Sequence, residues 1–374
     1  MRLKIETLTP VRIGAGETQE IDGFNSFAVE GKLAVIKPEK LFSSLEDAEK
    51  IFKSFEKGLS LNEILSEEEK RKKELWLYQA QFFDSFAEES YKRDKKVKAH
   101  ILLPDNKLYL PGSSVKGAIR TALLSLLFIE EPSAWWFSRG RLEKNPEKYF
   151  RLGGDDPKND LMKAVQVTDS KGKEVSEAGV VLALKTYLKM RSRRLEPKRG
   201  TEEVILAISQ GKSFEIEVNI NETLIREMAR KWDKSGEKVR RILGGFEEEE
   251  VLERIFEACN RMTEERIGRD RDFIFSVRNR EDFESVLEQL DYLEELTSQE
   301  GCVFNLGYGI GRLGTTIQIA NQGDKKIERE LRKMGKARDY QIKHLNIPWP
   351  KTRKLYLKNR LPEGELGWMK MERI

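Results

Sequence analysis

Residues 110–120 read LPGSSVKGAIR, and the way this stretch folds decides the rest. It predicts a helix over 113–128. Ser113 or Ser114 suits the N-cap, where a hydroxyl accepts from an unsatisfied first-turn amide. Val115, Ala118, Ile119, Ala122, Leu123 and Leu126 follow the i, i+3, i+4 rhythm of a buried stripe. Lys116 and Arg120 stand four apart on another face, beside Ser113 and Gly117. A helical glycine costs about 1 kcal/mol against alanine, and Gly117 is explained if another backbone approaches it closely. Free amides and the positive dipole end then make the helix start an anion-binding surface, with two cations one and two turns on. The plain alternative is an amphipathic helix with two solvated cations.

Outward from this helix, strands alternate with helices. Residues 2–8 alternate as a half-buried strand. Residues 27–29 and 33–36 read as a hairpin. Pro38 opens a stretch rich in Glu, Lys, Leu and Phe, read as a helical insertion over about 41–96 with an acidic outer face. Residues 97–103, 107–110, 161–169 and 213–220 read as strands. Residues 181–190 and 201–209 form a long hairpin, in which Leu182, Leu184, Thr186, Leu188 and Met190 share a face. The connection between them, 191–200, is basic. Residues 221–296 are helical, with an acidic run at 247–250, and 301–319 are glycine-rich, then alternating. Trp135, Trp136 and Phe137 are expected in a local core cluster. The pattern is α+β, and a ferredoxin-like or RRM-like β-α-β-β-α-β sheet core with helical insertions fits it. The expected division is 1–220 for this core, with the insertion and the basic thumb-like hairpin at 181–209. Residues 221–374 then carry a helical segment and a second, degenerate ferredoxin-like unit containing the glycine-rich loop.

The 374 residues are 35% charged, against roughly 25% in ordinary soluble domains. Together with only two Cys and two His, this composition suits a thermophile. Net charge is +4, yet residues 43–89 hold 12 acidic and 7 basic side chains, whereas 325–360 hold 13 basic and 3 acidic. A chain of small net charge therefore presents positive patches suited to phosphate backbones. Cys259 and Cys302 form no CxxC pair and His100 and His344 are isolated, so neither a disulfide, a metal site nor a cofactor is expected. The opening MRLKIETLTP lacks the apolar core of a signal peptide, and the apolar run at 122–129 is too short to span a bilayer. No membrane is expected, and the default location is cytoplasmic.

LPGSSVKGAIR closely resembles the Pro-Gly-Ser-Ser-hydrophobic-Lys-Gly-Ala-hydrophobic-Arg motif of the RAMP family of CRISPR RNA-binding proteins. In order along the chain, TLTPVRIGAGE, LMKAVQVTDS, LGYGIGRLGTT and PKTRKLYL followed by LGWMKME resemble that family's opening strand and turn, its Asp-Ser strand end, its glycine-rich loop and its C-terminal end. The arrangement is most similar to the fifth-subunit family of type III-A CRISPR (Csm) effector complexes. That resemblance implies a non-catalytic subunit that caps the backbone filament and holds the 3′ part of the crRNA. Its partners would be crRNA, target RNA and neighbouring Csm subunits, chiefly the RAMP filament subunit, with roles in crRNA maturation and antiviral defence. The implied RNA contacts are Arg12 and Gly14; Ser113, Ser114, Lys116, Gly117 and Arg120; and Gly309, Gly311 and Arg312. A thumb-like hairpin is implied too, with Arg191, Arg193, Arg194, Lys198 and Arg199 tracking single-stranded RNA and Met190 or Leu195 as an apolar wedge.

Gly309-Ile310-Gly311-Arg312-Leu313-Gly314 spells G-x-G-x-x-G. A dinucleotide site needs that motif between a strand and a helix, whereas residues 315–319 favour a strand. The other functional class is a RAMP endoribonuclease acting through Asp22. A single carboxylate with no partner is a weak basis for acid–base chemistry, and Asp22 reads as a turn residue.

Overall fold

The computed structural model describes all residues except 15–19, 38, 42–47, 132–136, 139–140, 143–145, 155, 317–324, 335–336, 338–342, 344–349 and 351. Pro38, Trp135, Trp136 and His344 lie outside the described residues. In chain order, the first elements are β1 (Arg2–Thr7), β2 (Glu20–Asp22), β3 (Ser26–Val29) and β4 (Lys32–Ile36). Next come α1 (Ala48–Glu56), α2 (Leu61–Ile64), α3 (Glu67–Lys70), β5 (Trp76–Phe82), α4 (Ser85–Asp94) and β6 (Lys96–Lys98). The motif helix α5 (Gly112–Glu130) is followed by β7 (Phe137–Ser138), β8 (Arg141–Leu142) and β9 (Val165–Val167). The long pair β10 (Ala178–Lys189) and β11 (Arg194–Ile208) leads to β12 (Ser213–Ile220). Then come α6 (Glu222–Trp232), α7 (Glu237–Leu243), α8 (Glu248–Phe275) and α9 (Glu284–Thr297). The chain closes with β13 (Cys302–Asn305), α10 (Gly311–Thr315), α11 (Lys325–Met334), β14 (Thr352–Lys358), β15 (Leu361–Glu365) and β16 (Trp368–Arg373).

The protein is α+β, and the described strands form a five-stranded antiparallel sheet, a larger mixed sheet and a small two-stranded sheet, β7–β8. Alternation in β1 puts Leu3 and Ile5 fully inside, and β1 becomes the centre of a five-stranded antiparallel sheet ordered β13-β16-β1-β12-β9. Strands from both sides of residue 220 share this sheet. Along β1-α5-β9-β12-α8-β13 the chain runs strand, helix, strand, strand, helix, strand, and α5 packs on α8 and β9. α5 is long and apolar enough, by composition, to cross a membrane. Here it is a core helix, with Val115, Ile119, Leu123, Leu127 and Phe128 each no more than 1% exposed. The acidic run 247–250 opens α8: Glu250 Oε2 accepts from the amides of Phe246 (2.9 Å) and Glu247 (3.1 Å), and the carboxylates sit at the positive dipole end.

The mixed sheet is built on β10–β11, joined by β14–β15, β5-β4-β3 and β6-β2, with parallel pairings at β10–β5 and β11–β6. The expected helical insertion is therefore interrupted. Residues 76–82, WLYQAQF, pair with both β4 and β10, because a strand edge was available there and the alternating Tyr78, Ala80 and Phe82 fit it. The short helices α2 and α3 cover β3 around Phe27, Val29, Leu61 and Leu65. Two expected strands shorten. Residues 161–163 form a 3-10 turn before β9, and 97–103 keep ladder pairing only at β6 before isolated bridges.

The 181–209 hairpin forms, with a tighter turn than expected, since β11 already starts at Arg194. Leu188 and Leu195 are buried with Ile267, Phe273 and Phe283, and Met190 packs against them. The Asn279 amide brackets Leu195, donating to its carbonyl (3.0 Å) and accepting from its N–H (2.9 Å). The hairpin end is thus docked on the segment after α8, and Leu195 is not available as a wedge. Cys259 and Cys302, far apart in sequence, are both buried and reduced. Burial, and then the neighbouring Cys259, push the Cys302 thiol well up.

Candidate nucleic-acid interface

The motif helix starts one residue earlier than Ser113, and its cap comes from elsewhere. Pro111 occupies the N-cap with no side-chain bond, and Asp169 Oδ1 accepts from the Gly112 amide at 2.7 Å. Ser170 Oγ accepts from the Leu110 amide at 2.9 Å, and its own amide donates to Leu110 O. The Asp-Ser stretch and the Pro-Gly-Ser-Ser stretch therefore form one joint. Ser113 and Ser114 lie inside the first turn, so their expected capping role falls to Asp169. Its carboxylate already meets the dipole end that was read as free.

The glycines exchange roles as well. A Cβ on Gly112 would lie 2.3 Å from Val167 O, whereas nothing lies within 4 Å of one on Gly117. Close backbone approach explains Gly112. Gly117 is an open flank beside Lys116. Burial pulls the Lys116 ammonium below its ordinary range, with Asp160 opposing and Arg120 adding to the shift. Arg120 is held by Asp160 and lies over the Phe150 ring at 4.9 Å. It is a positioning group as much as a free cation.

A second cluster forms where β1 ends. Arg12 Nε donates to Ala99 O (2.9 Å) and Lys98 O (3.1 Å), and Tyr308 N donates to Arg12 O (2.7 Å). Gly307 makes this contact possible: its φ is +92°, and a Cβ would lie 2.3 Å from Arg12 O. The Tyr308 ring meets Lys354 (4.0 Å), Arg12 (4.8 Å) and Lys98 (5.1 Å). Glu203 accepts from Lys98, Lys354 and the Tyr308 hydroxyl. Burial would push the Glu203 carboxyl up, but the two lysines outweigh it and hold it below its ordinary range. Three cations thus share one carboxylate and one aromatic face. Arg12 and the glycine-rich stretch that holds Tyr308 were the sequence signals for this cluster. Lys98, Glu203 and Lys354 come together only through sheet order. Gly14 lies nearby, 3.8 Å from the Arg12 guanidinium measured from a built Cβ.

The glycine loop joins the two clusters. Gly307, Gly309 and Gly311 all take positive φ, and 311–315 form the short helix α10; of the strand expected at 315–319, residues 317–319 lie outside the described residues. The preceding β13 pairs antiparallel with β16, so the G-x-G-x-x-G sequence does not sit in a parallel β-α-β unit. Gly309 turns tightly over Leu366, with a built Cβ 2.9 Å from its Cδ1, and Gly311 faces open space. Gly314 then lines a small cavity together with Ala118 of the motif helix. The glycine loop therefore meets the Arg12 cluster at Gly307 and Tyr308 and the motif helix at Gly314. The side chains of Arg312 and Arg199 lie outside the described residues. Arg191, Arg193, Arg194 and Lys198 are exposed at the hairpin turn. At about 3.3 Å per residue along β11, the turn is roughly 30 Å from Glu203.

Asp22 is a turn residue. Its Oδ1 accepts from the Phe24 amide (2.8 Å), and its amide donates to Asn25 Oδ1 (2.9 Å). Among the described residues, no group of three or more His, Cys, Asp and Glu could hold a metal ion. His100 is fully buried between the Ile13 amide, which donates to Nδ1 (3.1 Å), and Tyr109 O, 3.2 Å from Nε2. It fixes the backbone that carries Arg12. Burial holds the imidazole at about 4, below its ordinary 6.5. The unfolded chain binds this proton more readily, so the His100 contribution is complete above about pH 6.5 and is lost as pH falls through 4. The expected loss is about 3 kcal/mol. In urea unfolding at stepped pH, the stability difference between the parent and His100→Gln should change across this window, the parent losing ground as pH falls; a difference that does not move with pH would overturn the assignment.

A family model described as the RAMP superfamily matches residues 4–314. The chain is 23% identical over 406 aligned residues to a Methanocaldococcus jannaschii protein described as "CRISPR system Cms protein Csm5", covering 99% of this chain and 88% of that one. A chain in the cryo-EM structure of a Csm-crRNA-target RNA ternary complex of a type III-A CRISPR-Cas system has a TM-score of 0.69 at 19% identity, with both chains covered fully. The crystal structure of T. onnurineus Csm5 gives a TM-score of 0.68 at 18% identity, covering 98% of this chain and 99% of that one. At these identities the two structures share the fold with this chain.

Proposed function

Because the chain belongs to the RAMP superfamily and is related to Csm5, we propose that it is a non-catalytic crRNA-binding subunit of a type III-A Csm effector complex. On this reading it caps the backbone filament beside the RAMP filament subunit and holds the 3′ part of the guide near the target RNA. It thereby supports crRNA maturation and assembly of the complex. Four strands in the order β16-β1-β12-β9, each antiparallel to its neighbour, follow the ferredoxin-like arrangement, with β16 as the fourth strand and β13 added at the edge, and this is the RAMP reading of the five-stranded sheet. The observation that carries the functional reading is the Arg12–Lys98–Lys354 cluster around Tyr308, set on a glycine loop that meets the motif helix at Gly314, on which helix Gly117 is an open flank. Such a surface suits a sugar–phosphate chain, because backbone glycines allow close approach and cations release counterions.

The test is single-stranded RNA binding as a function of salt. Lys116→Ala should weaken binding and flatten the salt slope by about 0.7. Gly117→Ala should stabilise the free protein by about 0.5–1 kcal/mol, since alanine is the better helix former and meets nothing. It should still weaken RNA binding by crowding the open flank. Unchanged affinity and slope in both variants would take RNA off this face.

A further inference from the structure

Among the buried hydrogen-bond donor atoms without a described acceptor, three come together at one place: Arg266 Nη1, Asn305 Nδ2 and Trp368 Nε1. Trp368 is fully buried, Arg266 is 3% exposed and Asn305 8%. All three side chains line one small cavity with Gly314 and Ala118, at the junction of the glycine loop and the motif helix. The cavity volume is about 10 Å³, room for one water-sized oxygen. A Cβ on Gly314 would lie 2.5 Å from Arg266 Nη1 and 3.0 Å from Asn305 Oδ1, so this corner stays open only because residue 314 has no side chain.

Buried donors without acceptors are costly, and a guanidinium N–H more than a neutral one. Three nearby acceptors are already engaged. Asp270 Oδ2 and Glu365 Oε2 accept from Arg266 Nε (3.2 Å) and Nη2 (2.7 Å), and Val303 O accepts from Thr263 Oγ1 (2.7 Å). A water here would accept two bonds and bring two protons that need acceptors of their own. A non-bridging phosphate oxygen carries no proton and has lone pairs for several donors.

We infer that this cavity is a socket for one non-bridging phosphate oxygen of an RNA strand that lies along the glycine loop beside the buried Gly314. The inference rests on the RNA-binding reading above and names where one phosphate is gripped. The socket acts by directed hydrogen bonds, and its selectivity is for an acceptor of this size and shape.

The experiment uses the full chain and a single-stranded oligouridylate, with thermal melting recorded for every variant. Trp368→Phe removes one donor, Asn305→Asp replaces another with a carboxylate, and Gly314→Ala fills the corner. Each should weaken RNA binding roughly tenfold, the loss of one hydrogen bond to a charged acceptor. The Trp368 indole N–H resonance, assigned by its disappearance in Trp368→Phe, should move downfield when RNA is added to the parent protein. If the parent binds RNA while the resonance stays in place and the variants bind equally well, the socket is overturned and the RNA-binding reading stands. If the parent does not bind RNA, both fall. Should Trp368→Phe fail to fold, Asn305→Asp and Gly314→Ala carry the binding measurement by themselves.

Discussion

Asp270→Ala should lower folding stability by about 3–5 kcal/mol, the cost of breaking a buried ion network from one side. Asp270 is 2% exposed on α8 and accepts from Arg266 Nε (3.2 Å) on its own helix and from Arg353 Nε (2.5 Å) on β14. Arg266 also holds Glu365 on β15. Burial alone would push the Asp270 carboxyl up, but Arg353 and Arg266 outweigh it and keep it below its ordinary range. Without Asp270, two guanidiniums face each other with one carboxylate between them. Both guanidiniums lie over aromatic rings, Phe273 and Trp368, which cannot replace the lost charge. A surface pair gives the contrast. Lys53–Glu49, 65% and 78% exposed, should change stability by less than about 0.5 kcal/mol when Lys53 is made alanine. The urea midpoints of the two variants measure this difference. An Asp270→Ala midpoint as close to the parent's as that of Lys53→Ala would show that the network does not tie α8 to β14–β15.

The network also has an acid–base sign. Burial pushes Glu365 above its ordinary range, with Arg266 pulling the other way. A raised carboxyl binds its proton more tightly in the fold. Its contribution is therefore fullest below the unfolded pKa and declines as pH rises through the folded one. His100 has the opposite slope. The two partly cancel between pH 4.5 and 6.5, so single variants at these positions reveal what the parent protein conceals.

Local periodicity made much of the fold legible. β1, the β3–β4 hairpin, the β10–β11 pair and α5 each carry their signal within a dozen or so residues; burial follows the predicted face in β1 and extends beyond it in β10, where Val181 and Ala183 are buried too, and in α5, where Leu127 and Phe128 are. What failed depended on distant partners. WLYQAQF is a strand because β4 and β10 flank it, yet its neighbours in sequence are acidic helices. The helix cap on α5 comes from Asp169, far along the chain, while two good capping serines stand in the first turn. In the candidate site, Arg12 and the glycines were readable from the motifs. Lys98, Glu203 and Lys354 sit on three strands whose adjacency no local pattern encodes. The three unpaired donors of Arg266, Asn305 and Trp368 are invisible for the same reason, since each is an ordinary residue until the loop and the helix close on it.

Gly112→Ala should cost about 3 kcal/mol or more, although alanine is the better helix former. Propensity favours the substitution by about 1 kcal/mol. Against it, the new Cβ would stand 2.3 Å from Val167 O and 2.6 Å from both the carbonyl carbon and oxygen of Thr168. Those are backbone atoms of β9 and its exit, so no side chain can rotate away. The helix start must lift from the sheet, and the 2.7 Å bond from the Gly112 amide to Asp169 goes with it. Overpacking of this kind costs about 1–3 kcal/mol, and losing a hydrogen bond to a charged group about 1.5–3. The two motif glycines thus predict opposite signs: Gly117→Ala raises the denaturant midpoint and Gly112→Ala lowers it. A Gly112→Ala protein as stable as the parent would mean that α5 does not rest on β9 through this glycine. RNA affinity then separates fold from function. Gly112→Ala should lose binding and stability together, because it moves Lys116 with the helix. Gly117→Ala should lose binding while gaining stability, which no purely structural role for that residue can produce.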